Sequence, residues 1–159
     1  MGTSDGGSVS VQREIQAPAA AVWALISDVT RMGDWSPETT SCAWIKGASG
    51  PAVGARFKGV NKNGSKTWST VCKVTAVDPG RAFVFDVDVG PLGVAEWAYR
   101  IEPDVGGTGC TVVETWTDRR GGLVKKLGKP LSGVADRVTH NRAGMETTLA
   151  RLATAAESA

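Results

Sequence analysis

The stretch LSGVADRVTHNRAGMETTLARLATAAE, residues 131–157, decides how the rest of the chain is read. Leu131, Val134, Val138, Met145, Leu149 and Leu152 recur at three-, four- and seven-residue steps, so at about 3.6 residues per turn they form one stripe along a helix. A stripe of that length needs an apolar surface to cover. The sequence upstream is mostly short alternating runs, and one long helix laid across a curved antiparallel sheet is the simplest way to bury both apolar faces. The expected class is α+β, with helix and sheet enclosing a pocket.

Working outward from that helix, turn signals divide the chain from Ser36-Pro37 to residue 117 into strands. Asn63-Gly64, Asp78-Pro79-Gly80, Gly90-Pro91 and the GGTG run at 106–109 separate alternating segments. With Val9, Val11, Arg13 and Ile15 as a first strand, this predicts about seven strands in a meander. Between the first two strands, Pro18 suits the first turn of a short helix, and Thr30 can cap a further single turn that ends at Ser36-Pro37. Residues 1–8, small and polar, read as a disordered leader, and residues 9–159 as a single domain.

Composition narrows the function classes. Eighteen Lys and Arg against sixteen Asp and Glu leave a net charge of +2, too little to argue for nucleic acid. Cys42, Cys72 and Cys110 form no close CxxC pair, so neither a disulfide framework nor a zinc site is expected, and no cofactor is implied. They read as reduced core residues of a cytoplasmic protein. The longest apolar run, residues 17–26, is too short to span a membrane. There is no GxSxG, HExxH or GxxxxGK[ST], and GGTG lies between two strands, where a hairpin turn explains it.

Alternation assigns side chains to faces. Trp97, Tyr99 and Ile101 share one face, as do Phe83, Phe85, Val87 and Val89. Cys110, Val112, Glu114 and Trp116 share another, and if it points inward it carries a carboxylate into the interior. A buried carboxylate is paired or protonated, so Glu114 would hold Arg142 or Asn141 of the facing helix, or work as an acid–base group. The plain alternative is a Glu on the solvent face of the last strand. His140, the single histidine, lies off the apolar stripe and is expected to face solvent. Six tryptophans fit a hollow, polar-speckled interior as well as they fit ordinary core. The basic amphipathic segment at 118–130 suits a weak contact with an anionic membrane surface or, more simply, a solvated connector.

The early strand with IQAPAAAVWALISDVTRMGDWSP, then VGARFKGVNKNG, VDPGRAFVFDV, WAYRIEPDVGGTGC and the closing helix together resemble the START-like (SRPBCC) superfamily. The resemblance runs from about Val9 to Ala156 and is to its polyketide cyclase/dehydrase and lipid transport branch, of the actinobacterial type. It implies the helix-grip fold, an antiparallel sheet of about seven strands around the C-terminal helix with two small helices after the first strand. It also implies a deep cavity for hydrophobic cargo such as lipids, sterols or polyketides. By position, Trp35, Phe57, Trp68, Phe85, Trp97, Tyr99, Trp116, Asn141 and Met145 would line it, with Glu114, Tyr99 and Asn141 orienting a polar end. Entry would be gated by the segment from Met32 to Pro37 together with residues 118–130. Three functions follow for test: a carrier or sensor of a hydrophobic or amphipathic small molecule; a cyclase- or dehydratase-like enzyme using Glu114 and Tyr99; and a protein-partner module of a stress or toxin–antitoxin system working through the basic segment.

Overall fold

A computed structural model describes residues 7–121, 132–134 and 136–159. β1 (Ser8–Ile15) leads into α1 (Ala19–Ser27), a single 3-10 turn (Val29–Arg31) and the one-turn α2 (Met32–Trp35). β2 (Thr39–Ile45), β3 (Arg56–Asn63), β4 (Lys66–Asp78), β5 (Ala82–Val89), β6 (Leu92–Pro103) and β7 (Cys110–Asp118) follow, and α3 (Arg137–Glu157) closes the chain. All seven strands join one antiparallel sheet in the order β1-β7-β6-β5-β4-β3-β2. β2 to β7 form the expected meander, and β1 closes beside the last strand. Register shifts at Thr39/Ser41, Val74/Ala76 and Val87/Asp88 interrupt three ladders, and such irregularities bend strands and increase twist.

The turns show how tightly local sequence controls register. Asn63 pairs with Lys66 and Val89 with Leu92, so each loop has two residues and begins with a glycine at positive φ, Gly64 at 60° and Gly90 at 58°. A glycine in the first loop position is what a type II′ hairpin needs. The first of these turns is thus Gly64-Ser65, one residue later than the Asn63-Gly64 motif suggests. Near the amino end, Asp28 rather than Thr30 is the cap: its carboxylate accepts from the Thr30 amide and hydroxyl and starts the 3-10 turn. Ser36 is extended ahead of Pro37, which ends α2 as expected.

α3 starts later than the apolar spacing suggests. Asp136 caps it, accepting from the Thr139 amide at 3.1 Å and its hydroxyl at 2.8 Å, and these bonds hold the Asp136 carboxyl below its ordinary pKa. Its buried stripe comprises Asn141, Met145, Thr148, Leu149, Leu152, Ala153 and Ala156. Val138 is 45% exposed and Val134 is half-buried, so of the five predicted stripe residues that are described Met145, Leu149 and Leu152 are buried; Leu131 lies outside the described residues. The cap at Asp136 begins the helix after Val134 and leaves Val138, in its first turn, outside the core. Under α3, Phe57 and Phe85 meet edge to face at 5.1 Å, with Trp44 packed edge-on against Phe57 at 5.6 Å. At the other end, Trp23 donates from Nε1 to the Ala82 carbonyl at 2.9 Å, tying α1 to the start of β5. Among the described residues no helix is long and apolar enough to cross a membrane.

Candidate ligand-binding site

β7 alternates without a break: Cys110, Val112, Glu114, Trp116 and Asp118 are each at most 5% exposed, and the residues between them are half-buried. The face carrying Glu114 is therefore the inner one. In the β6–β7 register Glu114 pairs with Tyr99 and, two residues along on the same face, Trp116 pairs with Trp97. Tyr99 donates its hydroxyl hydrogen to Glu114 Oε2 at 2.8 Å. Oε1 is buried and has no hydrogen-bond partner among the described residues. Burial pushes the Glu114 carboxyl up to about 8, with the Tyr99 hydrogen bond working in the opposite direction. Burial, then the neighbouring Glu114, raise Tyr99 well above its usual value. Near neutral pH the pair is thus a neutral carboxylic acid beside a neutral phenol.

The pair faces a cavity of about 860 Å³ between the sheet and α3. Phe57, Phe85, Trp97, Trp116 and Met145 supply apolar wall, Trp68 stands toward the α3 amino end, and Tyr99, Glu114 and Asn141 are polar points in it. Room is left by Gly59 on β3, where an added Cβ would meet Thr70 Oγ1 at 3.0 Å and Cys42 Sγ at 3.5 Å. Cys42 and Cys72 also border the space; burial raises both thiols, Cys42 to about 11, so they are protonated there. All three cysteines are free, and among the described residues no cluster of three or more His, Cys, Asp or Glu could hold a metal.

Trp35 does not border the cavity, although its position along the chain suggested that it would. It is 4% exposed, Arg31 lies 4.8 Å over its ring, and its carbonyl accepts from Arg151 at 3.4 Å, which places it in the seam between α2 and α3. The partners proposed for Glu114 on the facing helix also differ. Arg142 is exposed, and Asn141 Oδ1 accepts instead from Arg137 Nη1 at 3.2 Å, so Tyr99 is the carboxyl's one partner among the described residues.

One feature escaped sequence reasoning altogether. Arg137 Nη1 reaches both oxygens of Glu38, at 2.8 and 3.0 Å, and His140 Nε2 lies 3.0 Å from Glu38 Oε2. Arg137 also sits 5.7 Å over the Trp68 ring. His140 is therefore turned to the cavity rim, not to open solvent: residues 137, 140 and 141 share a face of α3, and the carboxylate that draws Arg137 and His140 lies about a hundred residues earlier. The spacing of Arg137, His140 and Asn141 was the available signal; their partner was not readable. Of the expected gate, Met32, Ser36 and Pro37 border the cavity. Of the basic segment, Arg119 binds Asp86 and Glu96, Arg120 binds Asp118, and residues 122–131, with Lys125, Lys126 and Lys129, lie outside the described residues.

Comparison with known proteins agrees with this architecture. The family described as polyketide cyclase / dehydrase and lipid transport matches residues 7–157. The chain belongs to this family. Within reach by sequence is the protein Rv0088 of Mycobacterium tuberculosis, 29% identical over 146 residues, which covers 92% of this chain; the chain spans 62% of that relative's length. The solution structure of the polyketide-cyclase-like protein Cgl2372 from Corynebacterium glutamicum is 32% identical, covers 92% of this chain and 90% of its own, and superimposes with a TM-score of 0.62. The major latex-like protein 151 of Panax ginseng, at 13% identity, covers 95% of this chain and 97% of its own with a TM-score of 0.69, a likeness of fold alone. Family and fold support a hydrophobic ligand-binding role.

Proposed function

We propose that the protein is a carrier or sensor that takes an apolar or amphipathic small molecule, of the size and character of a lipid or polyketide, into the cavity beneath α3. The observation that carries this reading is the cavity: about 860 Å³, with aromatic and aliphatic side chains in its wall and a buried acid–phenol pair among its polar points. Small-molecule sites range from about 300 to 1,000 Å³ and are built in this way. Burial of apolar surface at roughly 25 cal/mol per Å² supplies the driving force. Native mass spectrometry of the protein purified gently from its own cells tests the reading. A defined apolar mass released on denaturation, and retained less well by Trp97→Ala, is the expected result. Failure of any apolar probe to quench the tryptophans at the wall would overturn it.

A second reading has a specific observation in its favour. Glu114, neutral near pH 7 and hydrogen-bonded to Tyr99, is suited to giving a proton to a reacting oxygen, as a cyclase- or dehydratase-like reaction requires. It predicts a pH-dependent turnover that Glu114→Gln abolishes in a folded protein; unchanged turnover in that variant ends it.

A further inference from the structure

The hydrogens of the Glu114–Tyr99 pair can be counted. Near neutral pH the two side chains carry two, one on the phenol and one on the carboxyl, because no cation reaches the carboxyl among the described residues and an unpaired buried carboxylate is costly. The 2.8 Å contact between Tyr99 Oη and Glu114 Oε2 accommodates one of them. When the phenol donates, the second hydrogen sits on Oε1, which is buried and has no partner among the described residues. When the carboxyl donates, the phenol hydrogen is the one left over. Either arrangement presents the cavity with one O–H donor that the described residues leave unanswered, and a stranded buried donor costs more than an ordinary hydrogen bond contributes.

Resting on the cavity-binding reading above, we infer that the ligand's buried polar atom is an uncharged hydrogen-bond acceptor, a ketone, ester or ether oxygen, received by the Glu114–Tyr99 pair. The position is deep, since Glu114 is 2% exposed. The Trp97–Trp116 pair lies beside it on the same face of β6 and β7, so the body of the ligand next to the acceptor is apolar. At the rim, Arg137 and His140 are turned to Glu38 and Arg120 to Asp118, so these three side chains are engaged elsewhere. The pair thereby selects among apolar molecules of similar size, which the walls alone do not distinguish.

The test uses the solvatochromic ketone propionyl-dimethylaminonaphthalene and its carbonyl-free propyl analogue, titrated near neutral pH against wild type, Glu114→Gln and Glu114→Leu. Gln keeps a carbonyl for Tyr99 and an N–H for the ligand, whereas Leu keeps neither. The ratio of the two dissociation constants should fall about tenfold toward the analogue in Glu114→Leu and stay within about threefold of wild type in Glu114→Gln. Bound ketone should emit further to the red in wild type than in Glu114→Leu. An unchanged ratio and emission in Glu114→Leu would overturn the inference while leaving cavity binding intact; wild type binding neither probe overturns both. The carbonyl stretch of the ketone bound to wild type needs no variant: it should lie below its frequency in alkane, and an alkane-like position also overturns the inference.

Discussion

Replacing Glu114 by Gln should remove a pH dependence from the protein's stability. The folded carboxyl keeps its proton up to about pH 8, against an ordinary glutamate value of 4.5, because it is buried without a counter-charge. Between these values the folded state holds one more proton than the unfolded chain. Stability from this group is therefore fully present below pH 4.5, falls as pH rises, and stops falling near pH 8. By pH 7 the loss covers two and a half pH units at about 1.36 kcal/mol each, roughly 3 kcal/mol. Gln has no proton to lose and keeps the Tyr99 contact. The stability of Glu114→Gln minus that of wild type should thus rise by roughly 3 kcal/mol between pH 4 and pH 7, in favour of the variant. Urea unfolding at half-unit pH steps, with equal m-values in both proteins, measures this difference, and titrations shared by both cancel in it. A difference that stays flat within about 0.5 kcal/mol would refute the assignment of Glu114 as a buried neutral acid.

Other perturbations test neighbouring parts of the site. Tyr99→Phe removes the contact that opposes burial, so the Glu114 midpoint should move above its wild-type position when followed by the carboxyl stretch in the infrared; a downward move contradicts the argument. Met145→Ala takes a side chain that is 1% exposed out of both core and cavity wall and should cost about 2–5 kcal/mol in chemical denaturation. Arg137→Ala leaves Glu38 with His140 alone and loosens the first turn of α3, which should speed amide exchange at residues 138–142, while the partly exposed pair itself contributes no more than about 1 kcal/mol to stability. Gly59→Val fills space that the glycine leaves open and forces the Thr70 hydroxyl aside, so the propyl probe should bind several-fold more weakly to a protein that still folds; unchanged affinity would place the ligand elsewhere.

The strand run was legible because its turns carry their own chemistry. Gly64, Pro79-Gly80 and Gly90 mark where the backbone must reverse, and period-two alternation on β7 was enough to put Glu114 and Trp116 on one face. Which face was inner needed the sheet. The later half of the α3 stripe was equally plain, since Met145, Leu149 and Leu152 have no competing signal. Val138 misled because periodicity reports what one helix could bury, while burial is decided by where the sheet ends. Trp35 misled in the same way, its apolar character fitting either a cavity wall or the seam between two helices that it occupies.

By itself the sequence determined the class of fold and the antiparallel order of turns and strands, because each rests on local dihedral preference or on a period of side chains along one segment. The tertiary structure alone decided that Glu114 meets Tyr99 rather than the facing helix, that its second oxygen is unanswered, and that Arg137 and His140 close on Glu38. Those are contacts between segments far apart in the chain. Their energies depend on burial and on a few tenths of an ångström, quantities that exist only once the sheet has curved and α3 has been laid across it.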